Sequence, residues 1–321
     1  MFTFRDWAEK EYGDPDYFGK EYKGDITCSF AGLDSLEGAP KIVAGDFDCM
    51  GNDLIDLKGA PRTVVGAFKC SNNDNLETLE GAPKTVLTFV ASDCQNLTSL
   101  KGCPEDTLTL VFSNCPIESL EGCGKTDKLL VNGTKIKNLI GVKTAKEISV
   151  ANSEIETLEG CPGTLDYLIA SNSTLKTLKG GPATVKRIMD VSETQLENFE
   201  GGPTKVKALY ANKMSKLKTL KGFPKEIESA EIIIKEPSLE ILLIDAVLNK
   251  YIKKLDVLDG IKPVIAKNNV YDKLKEVINT KDTEKREEIC IGLAEEFGYQ
   301  LITDALKDIL MVDGPYIKIQ E

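Results

Sequence analysis

A segment of the form Leu-x-x-Leu-x-Gly, often followed by x-Pro, returns ten times along this chain, and no other feature constrains the fold as tightly. Its glycines are Gly38, Gly59, Gly81, Gly102, Gly122, Gly141, Gly160, Gly180, Gly201 and Gly222. The spacing of roughly 20 residues lies in the range of solenoid arrays, in which each unit buries its apolar face against its neighbours. The first apolar position reads Leu33, Leu54, Leu76, Leu97, Ile117, Ile136, Ile155, Leu175, Leu196 and Leu217. Three residues on, a second column runs from Leu36 to Leu220 with Phe199 as its one aromatic member.

A short apolar strand precedes each segment. The run 165–175 reads LDYLIASNSTL and resembles the leucine-rich-repeat consensus LxxLxLxxNxL, with Leu165, Leu168, Ala170 and Leu175 at its inward positions. The resemblance covers about two thirds of the chain. A narrower likeness lies in units such as 68–83, FKCSNNDNLETLEGAP, which resembles repeat proteins of large tailed bacteriophages and some bacteria. The implied fold is of the α/β repeat class, a leucine-rich-repeat solenoid with a parallel concave sheet. Residues 1–25 are expected to form an N-terminal cap, 26–234 a solenoid of about ten repeats, and 235–321 a C-terminal α-helical domain.

Stacked coils leave bare apolar ends, so caps are required. Phe2, Phe4, Trp7, Tyr12, Tyr17, Phe18 and Tyr22 crowd the first 25 residues and suit a cap over the first coil, or alternatively an aromatic patch for a partner. Ile26 and Cys28 then begin the first strand, because Cys28 stands five residues before Leu33 as Cys49 does before Leu54. At the other end Ser238 follows Pro237 and can cap a helix carrying Leu239, Leu242, Leu243, Ala246 and Leu248. A second helical stretch covers 270–278. A third carries Ile289, Leu293, Phe297, Leu301, Ala305 and Ile309 at four-residue spacing.

As the chain leaves each strand it passes Asn52, Asn73, Cys94, Cys115, Thr134, Ser153, Ser173 or Thr194. All can hydrogen-bond to backbone groups that a turn leaves unpaired, with cysteine the weakest, so a structural ladder is expected here and no metal site. The repeat glycine is read as permitting positive φ or close approach between coils. The following proline marks a return segment of loop or a single 3₁₀ turn.

Chemistry is limited by what is missing. Histidine is absent, which removes Ser-His-Asp and Cys-His catalysis and imidazole metal ligation. Nine cysteines without a CxxC pair, an N-terminus lacking an apolar signal core and no membrane-length apolar run suggest reduced thiols in a cytoplasm. A net charge of −11 disfavours nucleic acid as the main partner. Some bacterial effectors join leucine-rich repeats to a helical ubiquitin-ligase domain with a catalytic cysteine. The candidate would be Cys290, but Glu287 and Glu288 beside it would raise a thiol pKa, and a core cysteine is the expected role. Neither a catalytic residue nor a cofactor is expected.

In a leucine-rich-repeat solenoid the positions between inward strand residues face out across the concave sheet. One such column reads Asp48, Lys69, Val90, Val111, Leu130, Ser149, Ile169, Asp190 and Tyr210, and its neighbour runs from Asp46 through Tyr167 and Ile188 to Ala208. Val90, Val111, Leu130, Tyr167, Ile169, Ile188 and Tyr210 are therefore the candidate protein-binding residues, with Asn72, Asn114, Asn152 and Asn172 on the rim. The function expected is a non-enzymatic protein–protein interaction scaffold, phage-encoded and acting on a host protein if the narrower likeness holds. The rival is a structural component of a phage particle, located in the virion; the effector enzyme ranks behind both. Oligomerisation through the C-terminal helices and coverage of the sheet by them stay open.

Overall fold

The computed structural model describes residues 1–217, 222–224 and 226–231, together with the single helical position 285. The helices expected within 235–321, and Cys290 with them, lie outside the described residues apart from that position. By internal packing the chain divides into two units, the first comprising Met1–Leu175 with Lys179–Pro182, the second Lys176–Leu178 with Ala183 onward.

The first unit is a parallel-strand solenoid of stacked coils. Its strands are β1 (Glu21–Tyr22), β2 (Ile26–Thr27), β3 (Ile42–Val43), β4 (Phe47–Asp48), β5 (Thr63–Lys69), β6 (Thr85–Val90), β7 (Thr109–Val111), β8 (Lys128–Leu130), β9 (Glu147–Ser149) and β10 (Thr164–Ile169). Each pairs in parallel with its equivalent one coil away, for example Phe68 with Phe89 and Leu110 with Leu129. In the second unit β11 (Thr184–Asp190), β12 (Lys205–Tyr210) and β13 (Glu226–Glu231) are parallel in the same way.

A single coil shows how the sequence dictates the stack. Val86, Phe89 and Ala91 alternate inward along and just beyond β6, Cys94 follows at the corner, and Leu97 and Leu100 fill the return side. All but Val86, at 3%, are completely buried, because the next coil covers what one coil exposes. Hydrogen bonding between coils continues past the strand, as Ala91 N–H donates to Val111 O and Phe112 N–H to Leu130 O. Phe47, Phe68 and Phe89 stack in register, with ring centroids 5.4 and 5.6 Å apart and planes within 7° of parallel.

The return segments are turns in every described repeat, so the helical half of the α/β label does not appear there. Eight of these turns close by an i→i+3 bond, as where Cys103 N–H donates to Leu100 O at 2.9 Å. Gly102 at its third position has φ 88°, the conformation a type II turn requires.

The corner ladder forms as expected. Asn73 Nδ2 donates to Cys49 O (3.2 Å) and Cys70 O (2.9 Å), while its Oδ1 accepts from Leu54 N–H (3.3 Å). Thr134, at the equivalent corner, makes one bond, donating to Val131 O at 2.8 Å. Both side chains are buried. Asn73→Ala removes its three bonds and leaves the Leu54 N–H without its acceptor, and should cost about 2–4 kcal/mol, against about 1 kcal/mol for Thr134→Ala. Urea unfolding of the two variants checks the order, and an equal cost would contradict the ladder as drawn.

Helix α1 (Phe4–Tyr12) is the one α-helix of more than a single described position, and it closes the first coil. Thr3 and Asp6 form a capping box, and Gly13 at φ 72° ends the helix. The helix start is pinned where Phe4 N–H donates to Ser35 O and Arg5 N–H to Glu37 O. Phe4 packs on Phe47 at 5.9 Å, with Trp7 and Phe18 against its other sides. The aromatic cluster thus covers the apolar end; Tyr12 and Tyr17, half exposed, stack at 4.2 Å outside it.

Candidate functional site

Ladder register fixes which outward residues are neighbours. In the first unit Lys69 pairs with Val90, Val90 with Val111, Val111 with Leu130, Leu130 with Ser149, and Ser149 with Ile169. The adjacent row runs Ala67, Thr88, Thr109, Lys128, Glu147, Tyr167. Val90, Val111 and Leu130 are therefore contiguous and half-buried. Tyr167 and Ile169 are not continuous with them, because Glu147 and Ser149 of β9 intervene. In the second unit Ile188 pairs with Ala208 and Asp190 with Tyr210, so Ile188 and Tyr210 stand on adjacent strands in different rows. Tyr210 is the most open of the seven, at 37%.

A third row went unread in the sequence. Val65, Leu87 and Leu108 are 50, 50 and 53% exposed. They are consecutive across coils: Val64 pairs with Val86 just before the first two, and Leu108 N–H donates to Leu87 O. Their signal was a pair of apolar residues, Val64-Val65 and Val86-Leu87, at a place where one inward position exists. Two aliphatic rows, offset by one coil, thus run side by side at β6 and β7, with Ala67, Thr88 and Thr109 in the row between them.

The margins are charged. Toward the N-terminal coils the Ala67 row continues into Asp46 and Asp25 and the Val90 row through Lys69 into Asp48, while the Val65 row continues into Ala44 and Lys23. Asp25 Oδ1 accepts from Asp46 N–H and Asp46 Oδ1 from Ala67 N–H, both at 2.8 Å, and each carboxylate lies where a Cβ on Gly45 or Gly66 would sit. The Ala67 N–H and then Lys69, 2.9 Å from Asp46 Oδ2, hold the Asp46 carboxyl below its ordinary range. Between the coils of β8 and β9, Lys128 pairs with Glu147 (3.2 Å) and Lys146 with Asp127 (2.7 Å), so charges cancel there.

Asn72, Asn114, Asn152 and Asn172 occupy the left-handed corner position, with φ between 52 and 58°. Asparagine tolerates that conformation, which gives these residues a structural reason to be there. They also link coils, as Asn114 Nδ2 donates to Asp93 Oδ1 at 2.9 Å and Asn172 Nδ2 to Asn152 Oδ1 at 2.6 Å.

The eight described cysteines are free thiols. Burial raises Cys28, Cys49 and Cys70 above the ordinary thiol range, and pushes Cys103 up to about 11 and Cys161 to about 12. Cys94 is lowered by its bond with Cys115, whose own thiol is raised by the same contact. Both are shut inside the stack, at 0 and 1% exposure. Among the described residues no group of three or more Cys, Asp or Glu side chains is arranged to hold a metal ion, and no helix is long and apolar enough to cross a membrane. A groove of about 540 Å³ on the return side is lined by successive turns, with Arg62, Lys84, Cys103 and Glu105 at its walls.

The sequence matches no protein-family model and no curated protein. What the coordinates define is a repeat protein, a parallel-strand solenoid with an aromatic N-terminal cap.

Proposed function

We propose that this protein is a non-enzymatic scaffold that binds another protein through the outward face of its sheet. The observation that carries the reading is the row Val65, Leu87 and Leu108, each about half exposed beside Val90, Val111 and Leu130. Aliphatic side chains held open across adjacent coils cost solvation free energy, and contiguous patches of this kind mark interaction sites more often than isolated exposed residues do. A polar margin around an apolar centre is the composition of a recognition surface. The burial of seven of the eight described thiols and the lack of histidine support a binding role over an enzymatic one.

The repeat columns support the finer reading as a leucine-rich-repeat protein of the short bacterial or bacteriophage type, with a host protein as partner and a cytoplasmic site of action. Affinity capture from bacterial lysate tests the binding role, comparing the native chain with Leu87→Glu, Leu108→Glu. Both substitutions lie on exposed positions, so circular dichroism should match the native chain. The expected result is a partner retained by the native chain and weakened by at least roughly 100-fold in the variant, the loss of two anchoring side chains. Equal capture would move the site to Tyr12 and Tyr17 of the cap or to residues beyond 231. Recovery with assembled phage particles alone would favour the structural-component role.

A further inference from the structure

Resting on the protein-binding reading of this face, we infer that its occupant is an amphipathic α-helix lying across the coils, apolar along one stripe and basic at the end over β2 and β4. Three observations carry this. First, the apolar surface is two parallel rows, Val65–Leu87–Leu108 and Val90–Val111–Leu130, offset by one coil and separated by Ala67, Thr88 and Thr109, above which the longer Leu87 and Leu108 stand. This surface runs across the strands, not along them.

Second, the spacing along each row is that of neighbouring strands, about 4.8 Å. A helix places side chains of one stripe at i, i+3 and i+4, hence about 4.5–6 Å apart, and stays in step with successive coils. An extended segment laid the same way places same-side residues about 6.6–6.8 Å apart. It would drift by about 2 Å per coil and be out of step within three. The row spacing therefore selects a helix.

Third, the two ends of this surface differ in charge. Asp25, Asp46 and Asp48 stand at one end against Lys69 and Lys23, an excess of one carboxylate, whereas Lys128 with Glu147 and Lys146 with Asp127 balance at the other. Lysine or arginine on the helix end nearest β2 and β4 meets the excess of carboxylate there, which also orients the helix.

The test uses three fluorescein-labelled 18-residue peptides of leucine, alanine, lysine and glutamine, read by anisotropy against the full chain. The first is helical, with leucines at i, i+3, i+7 and i+10 and three lysines at one end. The second replaces those lysines with glutamates. The third has the composition of the first in strict strand alternation. We expect saturable binding of the first peptide, at least tenfold weaker binding of the other two, and weakening of the first by salt. Leu87→Glu, Leu108→Glu should abolish binding, and Asp48→Asn should weaken it several-fold. Asparagine there keeps an oxygen to accept from Ser29 Oγ and Met50 N–H.

Equal or tighter binding of the strand-patterned peptide overturns the helix, and equal binding of the acidic peptide overturns the basic end. Absence of peptide binding, with a lysate partner still lost by the leucine double variant, overturns this inference and leaves the protein-binding reading intact. Loss of neither sinks both. A native dimer in sedimentation that the double variant converts to monomer also overturns it, since the occupant would then be a second copy.

Discussion

Gly102→Ala should destabilise the solenoid by about 2–5 kcal/mol, although it adds a single methyl group. Two costs combine. Gly102 holds φ 88°, and an L-residue there gives up about 1–2 kcal/mol. A Cβ at this position would lie 2.5 Å from the carbonyl carbon of Leu79 and 2.6 Å from Glu80 N, which are backbone atoms of the preceding coil. Neither can swing aside as a side chain can, so the coils must separate locally, at about 1–3 kcal/mol by analogy with overpacked cores. Gly163→Ala is the control, because its Cβ would meet nothing within 4 Å and its φ is not positive. Urea unfolding monitored by circular dichroism reads both, with Gly163→Ala within about 0.5 kcal/mol of the native chain. Gly102→Asn separates the two costs: asparagine tolerates the left-handed conformation but retains the Cβ. Recovery by asparagine to native stability would show that φ alone matters; continued loss assigns the effect to the close approach.

That glycine also illustrates which parts of the molecule can be read from the chain. Columns at fixed offsets, such as Leu33 to Leu217 and the corner from Asn52 to Thr194, identify inward positions because every unit repeats the same burial demand. From them the pairings Val90 with Val111 and Val111 with Leu130 follow by counting, and the coordinates reproduce them. The outward row Val65, Leu87 and Leu108 escaped the same logic. An apolar residue in a strand ordinarily signals an inward position, and the irregularity between Val64 and Ala67 in β5 shifts the alternation just where these residues occur. The break in the expected patch is already present in the columns, where Ser149 stands between Leu130 and Ile169, and the ladder sets Glu147 beside it, between Lys128 and Tyr167. Helix α1 had a local signal too, Thr3 three residues before Asp6, but nine residues are too few for the 3.6-residue pattern to stand out among so many aromatics. Val65, Leu87 and Leu108 therefore come from register, whereas the solenoid comes from repetition.

Phe47→Ala should cost about 3–5 kcal/mol and, unlike other core truncations, should release the cap selectively. Phe47 is completely buried at the junction of two aromatic sets. On one side Phe68 stacks on it at 5.4 Å, continuing to Phe89; on the other Phe4 of α1 packs against it at 5.9 Å. Phe4 in turn touches Trp7 at 5.1 Å, and Trp7 stacks on Phe18 at 5.7 Å. Removing the Phe47 ring takes away the floor on which Phe4 rests, while backbone bonds such as Phe4 N–H to Ser35 O hold only the helix start. The protein contains a single tryptophan, so Trp7 emission reports the cap and far-ultraviolet circular dichroism reports the sheet. In the native chain Trp7 is 7% exposed and should emit as a buried indole. In Phe47→Ala its emission should shift to the red at a lower urea concentration than the loss of sheet signal. Phe89→Ala, two coils further in, removes an equally buried ring that does not touch Phe4, and should lower both transitions together. Coincident transitions in both variants would mean that cap and coils unfold as one unit, and would assign to the interlocked backbone the cohesion attributed here to the aromatic stack.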